Sequence, residues 1–373
     1  MKICILSMQR VLNYGSLLQA YSLKKMLGSL GHDVSFIDIE PNEEDNKKRA
    51  RVMDFDEGIK SSGKNIVYRL FQQDTFVPYA LKKIKAKKEV SKLQRAFADD
   101  ELGLNNANNE KKYDACVIGS DEVFNCLNDA EWGFTSQLFG NVRQADRVIT
   151  YAASCGFTKV DELSDDVSNV IKTAFDRVGA FSVRDENTAQ FVKALSDKEP
   201  VYNLDPVAVG NFDDEMKKHE DCLKKLPKRY CIIYAYHGRI SSPDEIRAIL
   251  KLCREKHLTP ISIGGYQKWV HHHPVLSPFE VLCAFKNAEY VVTDTFHGTI
   301  FSAKYAKRFA VIVRGSNNNK LSDLLSRLKI EDHKVTSTDM ISKLYDLEDD
   351  KKVMRGIEAE QYRKTIEYLE QNL

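Results

Sequence analysis

Short apolar runs and stretches of helical periodicity alternate along most of the chain. Residues 2–7 form the first apolar run, residues 16–30 carry apolar residues at helical spacing, and a second run follows at 34–39. A short apolar run bounded by turn residues is typical of a buried strand, whereas helical spacing predicts an amphipathic helix. The chain is therefore predicted to open with a β-α-β unit, whose strands pair in parallel.

The alternation then continues in two series. Apolar runs that predict strands lie at 113–119, 147–153, 180–183, 230–236, 259–263, 290–293 and 309–313. Helical periodicity lies at 165–175, 186–195, 243–256, 278–287, 298–306, 321–328 and 349–371. This order predicts an α/β protein with two doubly wound, Rossmann-like lobes. Ligands of such folds bind at the carboxyl ends of the strands, so we expect the functional site in the cleft between the lobes.

The pattern also predicts where the lobes begin and end. We assign residues 1–197 to an N-terminal lobe, 198–348 to a C-terminal lobe and 349–373 to a final helix. Within the first lobe, residues 42–112 are rich in charge, and 82–95 are basic with helical period. We interpret this segment as a solvated helical insertion; the alternative is a surface that contacts an anionic acceptor or a lipid phosphate.

Composition limits the class of protein. The chain has 373 residues, 43% of them hydrophobic, which is enough for two domains with cores of their own. Its 55 basic and 54 acidic residues nearly cancel, which argues against a dedicated nucleic-acid-binding protein. The eight cysteines are scattered and form no CxxC pair, so we expect free thiols and a cytoplasmic location. No apolar run has the length of a membrane span or of a signal peptide, so we expect neither.

The strongest candidate for chemistry lies in the segment 291–299, with the sequence VVTDTFHGT. An apolar strand ends in a polar turn and a helix follows at once, so His297 lies where backbone N–H groups are unpaired and the helix dipole favours an anion. Histidine titrates near neutral pH and can pass a proton at such a position. The alternative is a structural histidine or a helix cap.

Three further candidates lie at strand ends or turns of the first lobe. One strand is followed by Ser120 and Asp121, and Asp121 could orient a hydroxyl, unless it forms an Asx turn or a helix cap. Another strand is followed by Arg184, which could bind a carboxylate or phosphate, unless it forms a structural pair with Asp185. The loop at 13–16 (NYGS) resembles phosphate-binding loops only loosely, because it has neither GxGxxG nor a Walker lysine.

No metal site is predicted. His271–His273 are adjacent rather than spaced by a helical turn, and no cysteine or carboxylate lies near them at a zinc-binding spacing. We interpret this triplet as part of a loop.

Several segments, in their order along the chain, resemble the polysaccharide pyruvyl transferase family. The resemblance spans nearly the whole chain, and its segments are 13–21 (NYGSLLQAY), 118–125 (IGSDEVFN), 151–154 (YAAS), 182–185 (SVRD), 204–206 (LDP) and 293–302 (TDTFHGTIFS). Each segment alone is modestly specific, whereas their order makes the match strong. The family has a two-lobed fold similar to that of GT-B glycosyltransferases, so the resemblance implies a GT-B-like fold here.

The resemblance also implies an activity. Characterised members transfer the enolpyruvyl unit of phosphoenolpyruvate to a sugar, and most then form a cyclic pyruvate ketal and release phosphate. By this resemblance His297 is the catalytic acid that protonates the donor's methylene carbon, Asp121 is the second catalytic residue and orients the acceptor hydroxyl, and Arg184 binds the donor's carboxylate or phosphate. The other residues that we assign to substrate binding are Asn13, Gly15, Ser16, Ser120, Asp294, Thr295, Gly298 and Thr299. Phosphoenolpyruvate is the donor substrate, and neither a separate cofactor nor a metal is implied.

The chain departs from the family pattern at one position. Some members have an arginine two residues before the histidine, where it contacts the donor, and Thr295 occupies this position here. The resemblance then requires another cation, such as Arg314 or Arg308, to bind the anion. The expected acceptor is a sugar or a lipid-linked glycan of a cell-surface polysaccharide.

Two other functions fit the same fold. One is a glycosyltransferase with a nucleotide-sugar donor, which would need a carboxylate that binds the ribose in the second lobe; the sequence singles none out. The other is a non-catalytic glycan-binding relative, which would tolerate the loss of His297. The acceptor sugar, the regiochemistry of the ketal, the oligomeric state and any peripheral contact with a membrane stay open.

Overall fold

The computed structural model of the protein describes residues 1–53, 76–127, 130–347 and 351–373. Its framework consists of two β-sheets with helices packed on them. The first sheet contains β1 (Lys2–Leu6), β2 (Asp33–Phe36), β3 (Tyr113–Asp121), β4 (Ala145–Ala153), β5 (Val178–Ala180), β6 (Ser182–Val183) and β7 (Val201–Tyr202). The second contains β8 (Tyr230–Ala235), β9 (Thr259–Gly264), β10 (Tyr290–Thr293), β11 (Phe309–Ile312) and β12 (Lys334–Val335). The prediction of two α/β lobes is confirmed.

Helices connect the strands in both lobes. In the first lobe they are α1 (Tyr14–Ser29), α2 (Glu43–Met53), α3 (Phe76–Phe97), α4 (Asp165–Phe175) and α5 (Glu186–Leu195). Between β7 and β8 lie α6 (Pro206–Val209) and α7 (Asp213–Lys218). The second lobe contains α8 (Pro243–Glu255), α9 (Pro278–Asn287), α10 (Phe296–Tyr305), α11 (Asn318–Arg327) and α12 (Met340–Lys343), and α13 (Lys351–Asn372) follows.

Both sheets are parallel. The strand order is β2-β1-β3-β4-β6-β7 in the first sheet, where β5 also pairs with β4, and β12-β11-β10-β8-β9 in the second. Ile3 of β1, for example, pairs in parallel with Val34 of β2 and Ala115 of β3. Helices cover parallel sheets on both faces, which explains why these strands are continuous apolar runs. Since the carboxyl ends of parallel strands meet at one edge, the polar residues that follow them are brought together there.

Short elements account for most differences from the predicted pattern. β7 and β12 have two residues each, too few to show a periodicity. The segment after β7 forms the short helix α6. Oδ1 of Asp205 accepts a hydrogen bond from the backbone N–H of Val207 at 3.0 Å, and Pro206 is the first helical residue. β7 lies beyond residue 197, and residues 348–350, at the predicted start of the final helix, lie outside the described residues.

The final helix α13 contacts both lobes. The hydroxyl of Tyr368 lies 2.9 Å from the carbonyl oxygen of Thr150 in β4 and 3.1 Å from that of Ala180 in β5. On the side of the second lobe, the ammonium group of Lys304 in α10 lies 3.2 Å from the carboxylate of Glu358. α13 therefore helps to fix one lobe relative to the other.

Polar contacts also join the lobes directly beside the cleft. Lys320 of α11 forms an ion pair with Glu122, which follows β3, at 3.0 Å. A guanidinium N–H of Arg327, also in α11, donates to the backbone carbonyl of Arg184, which follows β6. In addition, the hydroxyl of Tyr14 at the start of α1 donates to the backbone carbonyl of Leu276 in the second lobe at 3.0 Å. These contacts give the cleft a defined width.

Asp323 of α11 lies near Asp185 and Glu186 of the first lobe, so we expect its ionisation to affect stability. Burial raises its pKa to about 6; Arg327 opposes the rise, whereas Asp185 and Glu186 of the first lobe add to it. A carboxyl whose pKa is higher in the folded than in the unfolded protein costs stability as the pH rises from about 4 to about 6. We therefore expect Asp323→Asn to raise the melting temperature more at pH 7 than at pH 4.5, measured by calorimetry.

A matched control is available in the same lobe. Asp332 is exposed, so Asp332→Asn should change the melting temperature little at either pH. A melting temperature of the Asp323→Asn variant that follows the wild type in parallel across this range would contradict the assignment.

The charged insertion has a more specific position than the sequence pattern indicates. Residues 54–75, in the middle of the predicted insertion, lie outside the described residues. Further along, α3 leads through a π-helical turn at Ala98–Leu102 into the first sheet. Phe97 at its end packs against Tyr21 of α1 and Phe279 of α9, with ring centroids 5.9 and 4.9 Å apart. The C-terminal end of α3 is therefore anchored between the two lobes, while its basic side chains at residues 85–95 are exposed to solvent.

Candidate active site

A chain of hydrogen bonds connects the start of α1 to the end of β3. Asn13 caps α1, since its Oδ1 accepts from the backbone N–H of Ser16 at 2.8 Å and its Nδ2 donates to the Ser16 hydroxyl at 2.9 Å. That hydroxyl donates to Oδ2 of Asp121 at 2.5 Å. The predicted residues Asn13, Ser16 and Asp121 are thus brought together at the cleft edge of the first sheet.

The backbone of Asp121 has an unusual conformation. Its φ of 80° lies in the left-handed region that residues other than glycine seldom adopt. Backbone strain of this kind concentrates at functional sites. The side chain is fixed by its neighbours, because Oδ1 accepts from the backbone N–H of Glu122 at 2.9 Å and lies 3.8 Å from the guanidinium of Arg184. Asp121 therefore accepts a hydrogen bond from the next backbone N–H, as the structural alternative predicts, and also lies at the edge of the cleft.

The guanidinium of Arg184 lies among carboxylates. Besides Asp121, it approaches Oδ2 of Asp205 at 3.3 Å, and its face lies 4.3 Å from the ring centroid of Phe296. Burial alone would lower the pKa of Arg184, but the surrounding carboxylates raise it above its ordinary value. The side chain is 3% exposed. The guanidinium balances the charge of these carboxylates, whereas its Nε has no hydrogen-bond partner within the described residues. Binding of a donor anion by Arg184 stays a prediction.

His297 lies in the first turn of α10. Thr295 caps this helix, because its hydroxyl oxygen accepts from the backbone N–H of Gly298 at 3.0 Å. The alternative that His297 caps the helix is therefore wrong. The imidazole Nε2 lies 3.5 Å from Oδ2 of Asp205 and has no hydrogen-bond partner within the described residues. Across the cleft, a histidine of the second lobe thus faces a carboxylate that follows the first sheet.

Asp205 is buried, and its surroundings favour the ionised form of its carboxyl. Burial alone would raise the pKa of its carboxyl, but His297, Arg184 and the backbone N–H of Val207 lower it below its ordinary value. The hydroxyl of Ser120 lies 3.2 Å from Oδ2 and 2.8 Å from the carbonyl oxygen of Ala152, which places Ser120 behind the carboxylate. An ionised carboxylate at this distance can support a positive charge on the imidazole ring.

Gly15 provides the space that the imidazole ring occupies. A Cβ atom built on Gly15 would lie 2.1 Å from Nδ1 and 2.3 Å from Cγ of His297, far closer than any non-bonded contact allows. Glycine is therefore required at the start of α1 for the ring to lie between the lobes. The ring is held with Nδ1 towards Gly15 and Nε2 towards Asp205.

A cavity of about 380 Å³ opens between the lobes beside His297. The predicted site residues that line it are Asn13, Gly15, Thr295 and His297. Aromatic and imidazole side chains form much of the remaining wall: Tyr14, Tyr234, Tyr236, His237, Tyr266 and His273. Within the described part of the chain, no aspartate or glutamate lines the cavity. Lys87 of α3 is the basic side chain that lines it there. This lining suits an anion or a neutral polar ring better than a cation.

Six residues that we predicted to bind substrate do not line this cavity, namely Ser16, Ser120, Arg184, Asp294, Gly298 and Thr299. Oδ2 of Asp294 accepts from Nε of Arg239 at 2.9 Å and from Nε of Arg314 at 3.0 Å. The hydroxyl of Thr299 donates to the carbonyl of its own helix one turn earlier, at 2.9 Å. A Cβ on Gly298 would lie 2.2 Å from Oγ1 of Thr293. In this structure Asp294, Gly298 and Thr299 shape the turn and the helix that position His297, and their contact with substrate stays a prediction.

Neither arginine that we considered as a replacement cation faces the cavity. Besides its bond to Asp294, Arg314 donates to both carboxylate oxygens of Glu245, at 3.2 and 3.1 Å. Arg308 lies 3.9 Å from the carboxylate of Glu289 and 4.9 Å from the ring centroid of Tyr345. Both guanidinium groups are engaged within the second lobe.

Sequence reasoning did not assign a function to Asp205, and for the basic stretch of α3 it offered only contact with an anionic acceptor or a lipid phosphate. Asp205 lies in the segment 204–206 that carries the resemblance. Because an Asp-Pro pair commonly starts a helix, the sequence could have indicated that Asp205 caps a helix. The basic stretch 82–95 is distinguished by its charge, but no local pattern indicates that one face of α3 closes a cavity. Among the described residues, no three His, Cys, Asp or Glu side chains are grouped as metal ligands would be, and the eight cysteines are buried free thiols.

The structure places a histidine of the second lobe opposite a buried carboxylate of the first, in a cleft between two parallel α/β lobes. The chain belongs to the polysaccharide pyruvyl transferase family, whose family model matches residues 13–316. The matched region includes Asn13, Asp205 and His297. The protein is therefore a member of a transferase family.

Comparison with solved structures finds proteins of similar size at low identity. A putative UDP-N-acetylglucosamine 2-epimerase from Listeria monocytogenes is 13% identical over 96% of this chain and 90% of its own, with a TM-score of 0.44. The UDP-GlcNAc 2-epimerase from Neisseria meningitidis bound to UDP-GlcNAc is 9% identical over 98% and 100%, with a TM-score of 0.45. A glycosyltransferase from Streptomyces sp. SF2575 complexed with thymidine diphosphate is 10% identical over 100% and 99%, with a TM-score of 0.46.

No curated protein matches the sequence. Within the described residues, none of the helices combines the length and the apolar character needed to cross a lipid bilayer.

Proposed function

We propose that this protein transfers the enolpyruvyl unit of phosphoenolpyruvate to a sugar of a cell-surface polysaccharide or its lipid-linked precursor and closes a pyruvate ketal. The observation that carries this proposal is His297, which faces the ionised Asp205 beside a cavity whose described lining contains no carboxylate. Phosphoenolpyruvate carries a carboxylate and a phosphate, and a cavity without acidic side chains does not repel it. Family membership supports the same reaction class.

The reaction requires a proton at carbon before the sugar can attack. Protonation of the methylene carbon by the imidazolium of His297 makes the second carbon of the donor cationic, and a sugar hydroxyl then adds to it and loses its proton. Loss of phosphate by cleavage of the C–O bond gives a second cation, which a neighbouring hydroxyl attacks to close the ketal. The balance is one phosphoenolpyruvate and one diol to one ketal and one phosphate.

The carboxylates of the first lobe support this sequence from behind the ring. Asp205 faces Nε2, so a positive charge on His297 is balanced by a buried negative charge at 3.5 Å. Arg184 in turn prevents Asp205 and Asp121 from repelling each other. Asp121 and Ser16 form the hydrogen-bonded edge of the first lobe at which we place the acceptor hydroxyl.

Asp205→Asn tests the charge behind the imidazole. Asparagine keeps the shape and can still accept from Val207, so we expect the fold to survive while kcat falls roughly tenfold or more, since each 1.4 kcal/mol of lost transition-state stabilisation is a factor of ten. Steady-state kinetics and melting temperature should be measured together. A variant that keeps wild-type kcat would show that the carboxylate has only a structural role.

The donor is tested by direct binding. The purified protein should be melted in the presence of phosphoenolpyruvate, of inorganic phosphate and of a set of nucleotide sugars. A ligand at 100 times its Kd stabilises the fold by about 2.7 kcal/mol, which is well within the resolution of calorimetry. We expect stabilisation by phosphoenolpyruvate, and release of phosphate when a saccharide acceptor is added. Stabilisation by a nucleotide sugar instead would contradict the proposal and favour a glycosyltransferase.

We also propose that turnover needs no metal, because protonation and addition at the donor carbon require none in this scheme. The phosphate-release assay should proceed unchanged after dialysis against EDTA. Activity that is lost on chelation and restored by a divalent ion would overturn this part of the proposal.

A further inference from the structure

One face of α3 forms part of the wall of the cavity that contains His297. The side chains on this face are Ala86, Lys87, Val90, Ser91 and Gln94, which recur at the spacing of successive helical turns. The helix is held in place at its C-terminal end, where Phe97 packs against aromatic rings of both lobes. The polar groups of α3 therefore have a defined position relative to the catalytic histidine.

The polar side chains on this face are not used by the protein itself. Gln94 is only 4% exposed, yet its amide has no hydrogen-bond partner within the described residues. The same holds, within that part of the chain, for the ammonium group of Lys87 and the hydroxyl of Ser91. The amide of Gln94 is accessible from the cavity, so it can form hydrogen bonds to a ligand or to water there.

The charge of this face selects the kind of ligand. Lys87 is the permanently charged side chain among the described residues that line the cavity. The other cations near the cleft are already paired: Arg184 with Asp121 and Asp205, and Arg314 with Asp294 and Glu245. An anion in the cavity can therefore obtain a full countercharge from Lys87.

We propose that α3 supplies the phosphate-binding site for the donor, with Lys87 as the cation and Ser91 and Gln94 as hydrogen-bond donors. The helix then takes over the function of the arginine that stands at the position of Thr295 in some family members. Thr295 cannot perform it, because its hydroxyl caps α10. This inference rests on the proposed function, since it names the binding site of the proposed donor.

The test compares two neighbouring lysines of the same helix. Lys87→Gln removes the cation from the cavity, whereas Lys88→Gln removes an equally exposed charge that does not line it. We expect Lys87→Gln to raise the KM for phosphoenolpyruvate about tenfold to hundredfold with kcat nearly unchanged, because a charged hydrogen bond made equally in ground and transition states is lost. Lys88→Gln should leave KM within about twofold of the wild type, as for other exposed charges.

A second pair of variants at Gln94 separates an anion from a neutral ligand. Gln94→Glu places a carboxylate of the same shape in the cavity, and Gln94→Met removes the polar group. Binding of an anionic donor should fall further in Gln94→Glu than in Gln94→Met, because repulsion is added to the lost hydrogen bond. Melting temperature confirms that each variant folds.

Two results would overturn the inference. One is equal donor KM in the Lys87→Gln and Lys88→Gln variants, and the other is a rise confined to the KM of the saccharide acceptor. If the wild type binds inorganic phosphate, Lys87→Gln does not, and phosphoenolpyruvate does not bind, the anion site on α3 is supported and the proposed donor is wrong. If phosphoenolpyruvate binds and turns over without any dependence on Lys87, the proposed function stands and the site falls.

Discussion

Replacing His297 by alanine is expected to lower kcat by a factor of about 10²–10⁴, the usual contribution of a general acid. The fold should survive, because the side chain lies at the edge of a cavity and makes no hydrogen bond that the described residues need. Steady-state phosphate release and thermal unfolding of the same preparation measure the two effects separately. The expected outcome is a protein that melts near the wild type and turns over slowly.

The second lobe contains a buried, hydrogen-bonded histidine away from the cavity, which serves as a control. His333 is 4% exposed, its Nδ1 donates to the carbonyl of Phe309 at 2.9 Å, and its ring stacks on that of Phe309 at 3.7 Å. His333→Ala should therefore lower the melting temperature and leave kcat nearly unchanged in the folded fraction. A His297→Ala variant that behaves like His333→Ala, melting early with normal turnover, would remove the catalytic assignment.

Gly15→Ala is expected to be nearly as damaging to turnover as the loss of the imidazole itself. The added methyl group would occupy the position of the His297 ring, with Nδ1 2.1 Å away, so either the ring or the start of α1 must move. A displacement of about 1 Å in a reacting group can cost a factor of about 10² in rate. We therefore expect kcat to fall at least that far, measured by the same assay.

Gly28, in the same helix, is the matched control. A Cβ on Gly28 meets nothing within 4 Å. Gly28→Ala should therefore stabilise the protein by about 0.5–1 kcal/mol, the usual gain for alanine over glycine in a helix, without an effect on kcat. Wild-type turnover by Gly15→Ala would mean that the ring adopts another position during catalysis.

The sequence alone determined the elements and the position of the principal candidate. Strands and helices of the two lobes follow from local periodicity, which depends only on neighbouring residues and survives in any single sequence. The strand-turn-helix pattern around His297 placed this residue correctly at the start of a helix, because a polar turn after an apolar strand is a local signal. The ordered segments of the resemblance gave the family, which the family model confirms.

Only the tertiary structure decided which groups face each other. The pairing of His297 with Asp205 and its contact with Gly15 join residues from three distant segments, and no periodicity encodes which strand ends meet. Burial brought Arg184 among the carboxylates of Asp121 and Asp205, which balance its charge. The packing of Phe97 between the lobes turned a basic stretch into a wall of the cavity and brought Lys87 to it. Each of these outcomes depends on long-range packing of apolar surfaces, which the local order of residues leaves undetermined.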